Sequence, residues 1–93
     1  MSEENSAFQQ IQQHRDQIDE LDQKIVALLN ERAGHSLAIR ALKPGANMGL
    51  FDPKREEEIF KKVEGFNEGP LYNDYLREIY STILKVMKEP PSV

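Results

Sequence analysis

The chain has 93 residues, a net charge of −4 at pH 7 and 39% apolar residues, which fits one small domain with little material for a core. It has no cysteine, which excludes disulfides and thiolate metal sites, and its two isolated histidines make a poor zinc site. Lysines are interleaved with glutamates, so we expect no binding to nucleic acid. No apolar run approaches the roughly 20 residues of a membrane span, and the N-terminus is polar and acidic, unlike a signal peptide. We therefore expect a soluble cytoplasmic protein that does not bind membranes.

The first predicted element is one very long helix from about Ser6 to Leu42. Apolar residues recur at steps of three, four and seven, the spacing of one helix face, and no proline interrupts the run. These positions are Phe8, Ile11, Ile18, Leu21, Ile25, Leu28, Leu29, Ile39 and Leu42. Such a helix would be about 55 Å long, whereas a compact chain of this size has a radius of gyration of about 12 Å. We therefore predict an obligate homodimer, in which a second copy buries the part of the stripe that its own chain cannot cover.

A second, shorter helix follows a loop. Lys43-Pro44-Gly45 ends the first helix, and the loop runs to about Phe51. Asp52 is the predicted N-cap of the second helix, Pro53 occupies its first helical position, and Gly65 closes it. Its predicted buried residues are Ile59, Phe60 and Val63.

The third predicted helix starts at Gly69-Pro70 and stops before Pro90-Pro91. Its apolar stripe consists of Leu76, Ile79, Tyr80, Ile83, Leu84 and Met87. Because no segment alternates with period two over a useful length, the predicted fold is all-α with three helices, one of them very long.

Six charged residues on these elements predict a site for a small dianion: Arg15, Arg32, Lys43, Asp52, Arg55 and Glu56. Arg32 and Lys43 are separated by eleven residues, which places them within about 20° of one helix face and about 16 Å apart, so both can reach one small anion. Arg15 lies about 25 Å from Arg32 along the helix and is rotated by roughly 100°, so it would serve the partner's site. Asp52 and Glu56 are four residues apart and present hydroxyl acceptors on one side.

Most of these charges also have an ordinary structural explanation. Arg15 fits a solvated position, Lys43 complements a helix C-terminus, and Asp52 serves as an N-cap. Arg32 is different, because it stands where the apolar stripe should continue and a cation facing a core needs a partner. Arg55 in a first helical turn opposes the helix dipole and requires a nearby anion.

Five motifs occur in order along the chain: Ile18-Asp19-Glu20-Leu21-Asp22, Leu28-Leu29-Asn30-Glu31-Arg32, Ile39-Arg40-Ala41-Leu42-Lys43, Asp52-Pro53-Lys54-Arg55-Glu56 and Arg77-Glu78-Ile79. Together they resemble the all-helical, type II class of chorismate mutase. The resemblance covers about residues 8–88 and includes the spacing between the motifs. Heptad-rich helices imitate the first motif by chance, but they rarely reproduce the whole series.

The resemblance implies an intertwined homodimer of three-helix chains with two active sites. Each site is lined mainly by one protomer and completed by an arginine of the partner's long helix. The implied reaction converts chorismate to prephenate in phenylalanine and tyrosine biosynthesis, by a pericyclic shift that needs no nucleophile, metal or organic cofactor. Such an isomerase must hold a flexible dianion in a folded shape and stabilise the negative charge that grows on the ether oxygen.

The resemblance also implies a role for each charged residue. Arg32 and the partner's Arg15 would bind the two carboxylates, and Lys43 would contact a carboxylate and the ether oxygen. Asp52 and Glu56 would hold the ring hydroxyl side of the substrate. The implied catalytic residues are Arg15, Arg32, Lys43 and Glu56.

The remaining implied contacts come from Arg55, near the ring, and from Ile83 and Met87 of the third helix. Met87 departs from the family, which usually has glutamine or glutamate there as a second hydrogen-bond donor to the ether oxygen. A thioether cannot donate a hydrogen bond. Either Lys88 or another group substitutes for that donor, or the helix register differs, or the protein catalyses weakly.

The sequence is also compatible with two other functions. An isochorismate pyruvate-lyase on the same fold would share most of the cations. A non-catalytic helical dimerisation or regulatory module would explain the apolar stripe but would not require Arg32 on it.

The expected organisation is a single domain over residues 1–93, helical over about residues 6–89. Residues 90–93 resemble a tail or linker. Because the mutase domain of this family is often fused to a prephenate-processing or other pathway enzyme, such an ending would suit a fragment of a longer protein.

Overall fold

The computed structural model describes residues 3–46 and 52–88, with side chains described from residue 6 onward. Helices α1 (Glu3–Leu42), α2 (Pro53–Phe66) and α3 (Asn73–Lys88) form its framework, and a short 3-10 turn covers Pro44–Ala46. No strand occurs within these two ranges. The predicted all-α class with one very long helix is therefore confirmed. None of the described helices is both long and apolar enough to cross a membrane.

The chain divides into two compact units, Met1–Gly34 and His35–Val93. The first unit consists of most of α1, and its apolar stripe is largely open to solvent. The residues of that stripe that are more than half exposed are Phe8, Ile11, Ile18, Leu21, Ile25 and Leu28, whereas Leu29 is half-buried. An exposed row of large apolar side chains often marks a protein interface, which agrees with the predicted need for a partner.

The second unit begins with the last turns of α1. The Lys43 amide donates to the Ile39 carbonyl at 2.9 Å, and the Ala46 amide donates to the Lys43 carbonyl at 3.1 Å. These bonds satisfy carbonyls at the end of the helix while Pro44 prevents its continuation. The predicted end of the first helix is confirmed, whereas most of the loop predicted up to Phe51 lies outside the described residues.

Helix α2 begins as predicted. The Asp52 side chain accepts a hydrogen bond from the Arg55 amide at 3.0 Å, and Pro53 is the first helical residue. An N-cap carboxylate satisfies an amide that has no partner within the helix, and proline has no amide to satisfy. The helix ends at Phe66, one residue after the predicted Gly65.

Helices α2 and α3 pack against each other through their apolar faces. On α2, Ile59, Phe60 and Val63 are half-buried, and on α3, Leu76, Tyr80, Ile83 and Met87 are half-buried. Leu84 is 7% exposed and is the buried centre of this packing. Ile79 was predicted in the same stripe but is 47% exposed, because it lies about 140° around the helix from Leu84, at the margin of the apolar face.

Arg77 links α3 to α2 through polar contacts. Its Nη1 donates to Glu64 Oε1 and its Nη2 to Glu57 Oε2, both at 3.0 Å, while the guanidinium lies 4.3 Å from the centre of the Phe60 ring. The pKa of Arg77 is raised, chiefly by its hydrogen bond to Glu64 and against an opposing desolvation effect. Because arginine is already protonated at any ordinary pH, this contact does not switch with pH.

The segment between α2 and α3 is organised by the Asn67 side chain, and it corrects the predicted start of the third helix. The Asn67 amide group donates to the Leu71 carbonyl and to Asn73 Oδ1, both at 2.8 Å, and its oxygen accepts from the Gly69 amide at 3.0 Å. Gly69 has φ +79°, a left-handed conformation that a helix interior does not allow. The prediction that Gly69-Pro70 starts the helix is therefore wrong, and α3 begins at Asn73.

Candidate active site

The first turn of α2 carries three of the predicted site residues. Asp52 uses Oδ1 to cap the helix, and a carboxylate has a second oxygen that can accept from a ligand. Arg55 lies 3.4 Å from Glu58 Oε2, in a pair whose side chains are both more than half exposed. Glu58 is therefore an anion of the kind that Arg55 was predicted to require. Exposed pairs of this kind are weak, so Arg55 can exchange Glu58 for a bound ligand at little cost.

Glu56 joins this turn to the end of α3. Its Oε1 lies 2.7 Å from Lys88 Nζ, and the Glu56 side chain is 25% exposed. On the sequence, Lys88 is only a possible substitute donor, and its pairing with Glu56 is not predicted. The only sequence signal available was a cation in the last turn of a helix, which has an ordinary explanation in the helix dipole.

Ile83 and Met87 lie on α3 and are both half-buried. They are four residues apart and share one side of the helix. The contact between Lys88 and Glu56 brings the last turn of α3, which includes Met87, beside the first turn of α2. That arrangement is required if Met87 and Glu56 are to contact one ligand.

The remaining cations lie on or directly after α1. In the first unit, Arg15 is exposed, as expected for a solvated position, and Arg32 is half-buried, as expected for a cation on the apolar stripe. Their separation along α1 still prevents both from reaching one small ligand from the same chain. Lys43 follows α1 in the second unit and is half-buried. The convergence of Arg32 and Lys43 on one anion stays a prediction.

The first turn of α2 and the last turn of α3 together carry carboxylate, guanidinium and ammonium groups. Guanidinium and ammonium groups bind carboxylates through charge-assisted hydrogen bonds, and carboxylates accept hydrogen bonds from hydroxyl groups. Within residues 6–46 and 52–88, no group of three or more histidine, aspartate or glutamate side chains is arranged to hold a metal ion. The site is therefore equipped to bind and orient a small hydroxylated anion.

A family model described as chorismate mutase type II matches residues 14–90. The chain belongs to the chorismate mutase type II family. The matched region contains every predicted site residue, from Arg15 to Met87. The resemblance inferred from the five motifs is confirmed, whereas the roles of individual residues stay predictions.

Solved structures of the same family have the same fold. The structure of chorismate mutase (form I) from Thermus thermophilus has a TM-score of 0.80 and 31% sequence identity, and the match covers 84% of this chain and 98% of that chain. Form II of the Thermus enzyme also gives a TM-score of 0.80 at 31% identity, with 84% of this chain and 89% of that chain covered.

Curated relatives of this chain are longer proteins. The bifunctional chorismate mutase/prephenate dehydratase of Neisseria gonorrhoeae is 34% identical over 71 residues, which are 76% of this chain and 19% of the relative. The bifunctional chorismate mutase/prephenate dehydratase of Aquifex aeolicus is 35% identical over 81 residues, 83% of this chain and 22% of the relative. The chain thus spans about a fifth of the length of these relatives.

Proposed function

We propose that this chain catalyses the rearrangement of chorismate to prephenate. The observation that carries the proposal is the similarity to the Thermus chorismate mutase, which extends over 98% of that chain at a TM-score of 0.80. The proposal includes the role in phenylalanine and tyrosine biosynthesis and the cytoplasmic location expected from the sequence.

The reaction breaks one C–O bond and forms one C–C bond within a single molecule, so positioning and electrostatics are the means of catalysis. Arg32 and the partner's Arg15 would hold the two carboxylates, which restricts a flexible substrate to the reactive folded shape. Lys43 would direct its ammonium at the ether oxygen, where negative charge grows as the C–O bond breaks. A fixed cation at that oxygen stabilises the transition state more than the ground state.

The other side of the substrate would lie against α2 and α3. Asp52 and Glu56 would accept hydrogen bonds on the hydroxyl side, and Arg55 would line the site near the ring. Ile83 and Met87 would supply apolar contacts from α3. The 2.7 Å contact between Glu56 and Lys88 supports this assignment, because it brings the relevant turns of the two helices to one place.

The proposed active form is a homodimer with shared sites. The exposed apolar stripe of α1 supports this proposal, because water contact with so many large apolar side chains is unfavourable. The separation of Arg15 from Arg32 supports it independently, because Arg15 can complete a site only on another chain. Sedimentation that shows a compact, folded monomer at micromolar concentration would contradict the dimer.

The function is tested by following the loss of chorismate absorbance and identifying the product. Formation of prephenate supports the proposal. Pyruvate released from isochorismate, without prephenate formed from chorismate, would instead indicate the pyruvate-lyase. If the folded protein neither binds nor converts either compound, the result would instead indicate a non-catalytic dimerisation or regulatory module.

The shared site is tested by subunit exchange between Arg15→Ala and Arg32→Ala proteins, each expected to be inactive alone. A heterodimer has one site with both substitutions and one with neither. Equal mixing should therefore restore about a quarter of the wild-type activity, since about half of the dimers are mixed and half of their sites are intact. Each variant taken alone through the same exchange procedure is the control. Absence of recovery, with heterodimers verified by mass, would exclude the shared site.

A further inference from the structure

We infer that Lys88 is a positioning residue of the chorismate site, acting as the counter-ion that allows Glu56 to face a dianionic substrate. This inference rests on the proposed function, because it concerns the substrate side of Glu56. It assigns a role to a cation that has no place in the proposed set of substrate contacts.

The geometry of the pair is that of a charge-assisted hydrogen bond. Lys88 Nζ lies 2.7 Å from Glu56 Oε1, at the short end of the range for such bonds. The Glu56 side chain is 25% exposed and the Lys88 side chain 47% exposed, so the carboxylate is the more enclosed partner. Glu56 belongs to the first turn of α2 and Lys88 to the last turn of α3, and the bond connects the two helices.

A carboxylate beside a dianion presents an electrostatic problem. Like charges a few ångströms apart repel, and the repulsion increases when a bound ligand displaces water and lowers the local dielectric constant. An ammonium held against Glu56 offsets the carboxylate charge at short range. Because the ammonium contacts Oε1, the other carboxylate oxygen can still accept a hydrogen bond from a substrate hydroxyl. Lys88 would therefore act on the substrate through Glu56.

This role predicts a change in substrate binding rather than in the chemical step. The repulsion from an uncompensated Glu56 acts on the dianion in both the ground state and the transition state, and uniform effects of this kind raise KM and leave kcat nearly constant. We expect Lys88→Met to raise the KM for chorismate roughly tenfold at low ionic strength, with kcat changed by less than about threefold. Lys88→Arg retains the charge and should keep KM within about threefold of the wild type.

Lys85 provides the matched control. It is also an exposed lysine in the last turn of α3, so Lys85→Met removes the same charge from the same helix end. Both substitutions should weaken the interaction with the helix dipole equally. Only Lys88→Met should raise KM. An equal rise of KM in Lys85→Met would show that the loss of one positive charge, and not the contact with Glu56, causes the effect, and would overturn the inference.

A double-mutant cycle isolates the action through Glu56. In a Glu56→Gln background there is no carboxylate to compensate, so adding Lys88→Met should change KM by less than about twofold. An undiminished effect of Lys88→Met in that background would show that Lys88 contacts the substrate directly and would overturn the positioning role. An unchanged KM in Lys88→Met alone would also overturn it. Circular dichroism of every variant verifies folding, and failure of the wild-type protein to convert chorismate would refute the proposed function instead.

Discussion

Truncation of Leu84 to alanine should destabilise the second unit by about 2 to 3 kcal/mol. Leu84 is 7% exposed and lies at the centre of the packing between α2 and α3. At about 0.8 kcal/mol for each buried carbon, the substitution loses about 2.4 kcal/mol of transfer free energy. The neighbouring apolar residues are only half-buried and can move into the space, which keeps the additional cavity cost small.

Val86→Ala is the matched control on the same helix. Val86 is 54% exposed, so its truncation should lose about 0.8 kcal/mol of transfer free energy. Replacement of a β-branched residue by alanine stabilises a helix by roughly 0.5 kcal/mol, because alanine has the higher helix propensity. The expected net cost is therefore near zero, well below that of Leu84→Ala.

The assay is urea unfolding followed by circular dichroism at one fixed protomer concentration, because dimer stability depends on concentration. Leu84→Ala should lower the unfolding midpoint without a change in the denaturant slope. It should also raise the KM for chorismate, since Leu84 is the buried residue of the helix that carries Ile83 and Met87. A free-energy cost below about 1 kcal/mol, or one equal to that of Val86→Ala, would refute the assignment of Leu84 as the packing centre.

The remaining predictions concern the chemistry of the site. Lys43→Ala should lower kcat far more than it raises KM, by about 3 kcal/mol or more in activation free energy, and steady-state kinetics with near-normal kcat would remove Lys43 from the mechanism. Met87→Gln should leave the fold intact and raise kcat/KM roughly ten- to a hundredfold if the wild-type protein turns over chorismate slowly, because the amide adds a donor to the ether oxygen. Should the wild type already be fast, the donor comes from another group, and an unchanged kcat/KM in Met87→Gln would make Met87 a packing residue.

Local features of the fold could be predicted from the sequence because each depends on a few adjacent residues. The start of α2 is an example, since Asp52 can cap a helix and Pro53 can only begin one, whatever surrounds them. The start of α3 could not be predicted in this way. Gly69-Pro70 resembles a helix start, but the Asn67 side chain binds the following residues in a turn that continues to Asn73. A side chain that organises six residues of backbone leaves no periodic signal in the sequence.

The candidate site likewise has features that could be predicted from the sequence and one that could not. The charged residues of the site could be named from the sequence, because guanidinium, ammonium and carboxylate groups at helical spacings have a recognisable chemistry. The contact between Glu56 and Lys88 could not, because it joins the first turn of one helix to the last turn of another. Its existence depends on the length of both helices and on how their apolar faces pack.

The helical class, the long first helix, the cap of α2 and the family could be read from the amino-acid sequence, because periodicity, capping and motif spacing are visible along the chain. Three other features are visible only in the folded chain. Leu84 is buried while Ile79 is exposed, Arg77 links α3 to two carboxylates of α2, and Lys88 is the partner of Glu56. These contacts depend on the rotation and register of α3 on α2, which are selected by the packing of two whole helix faces. No single residue along the chain carries that information.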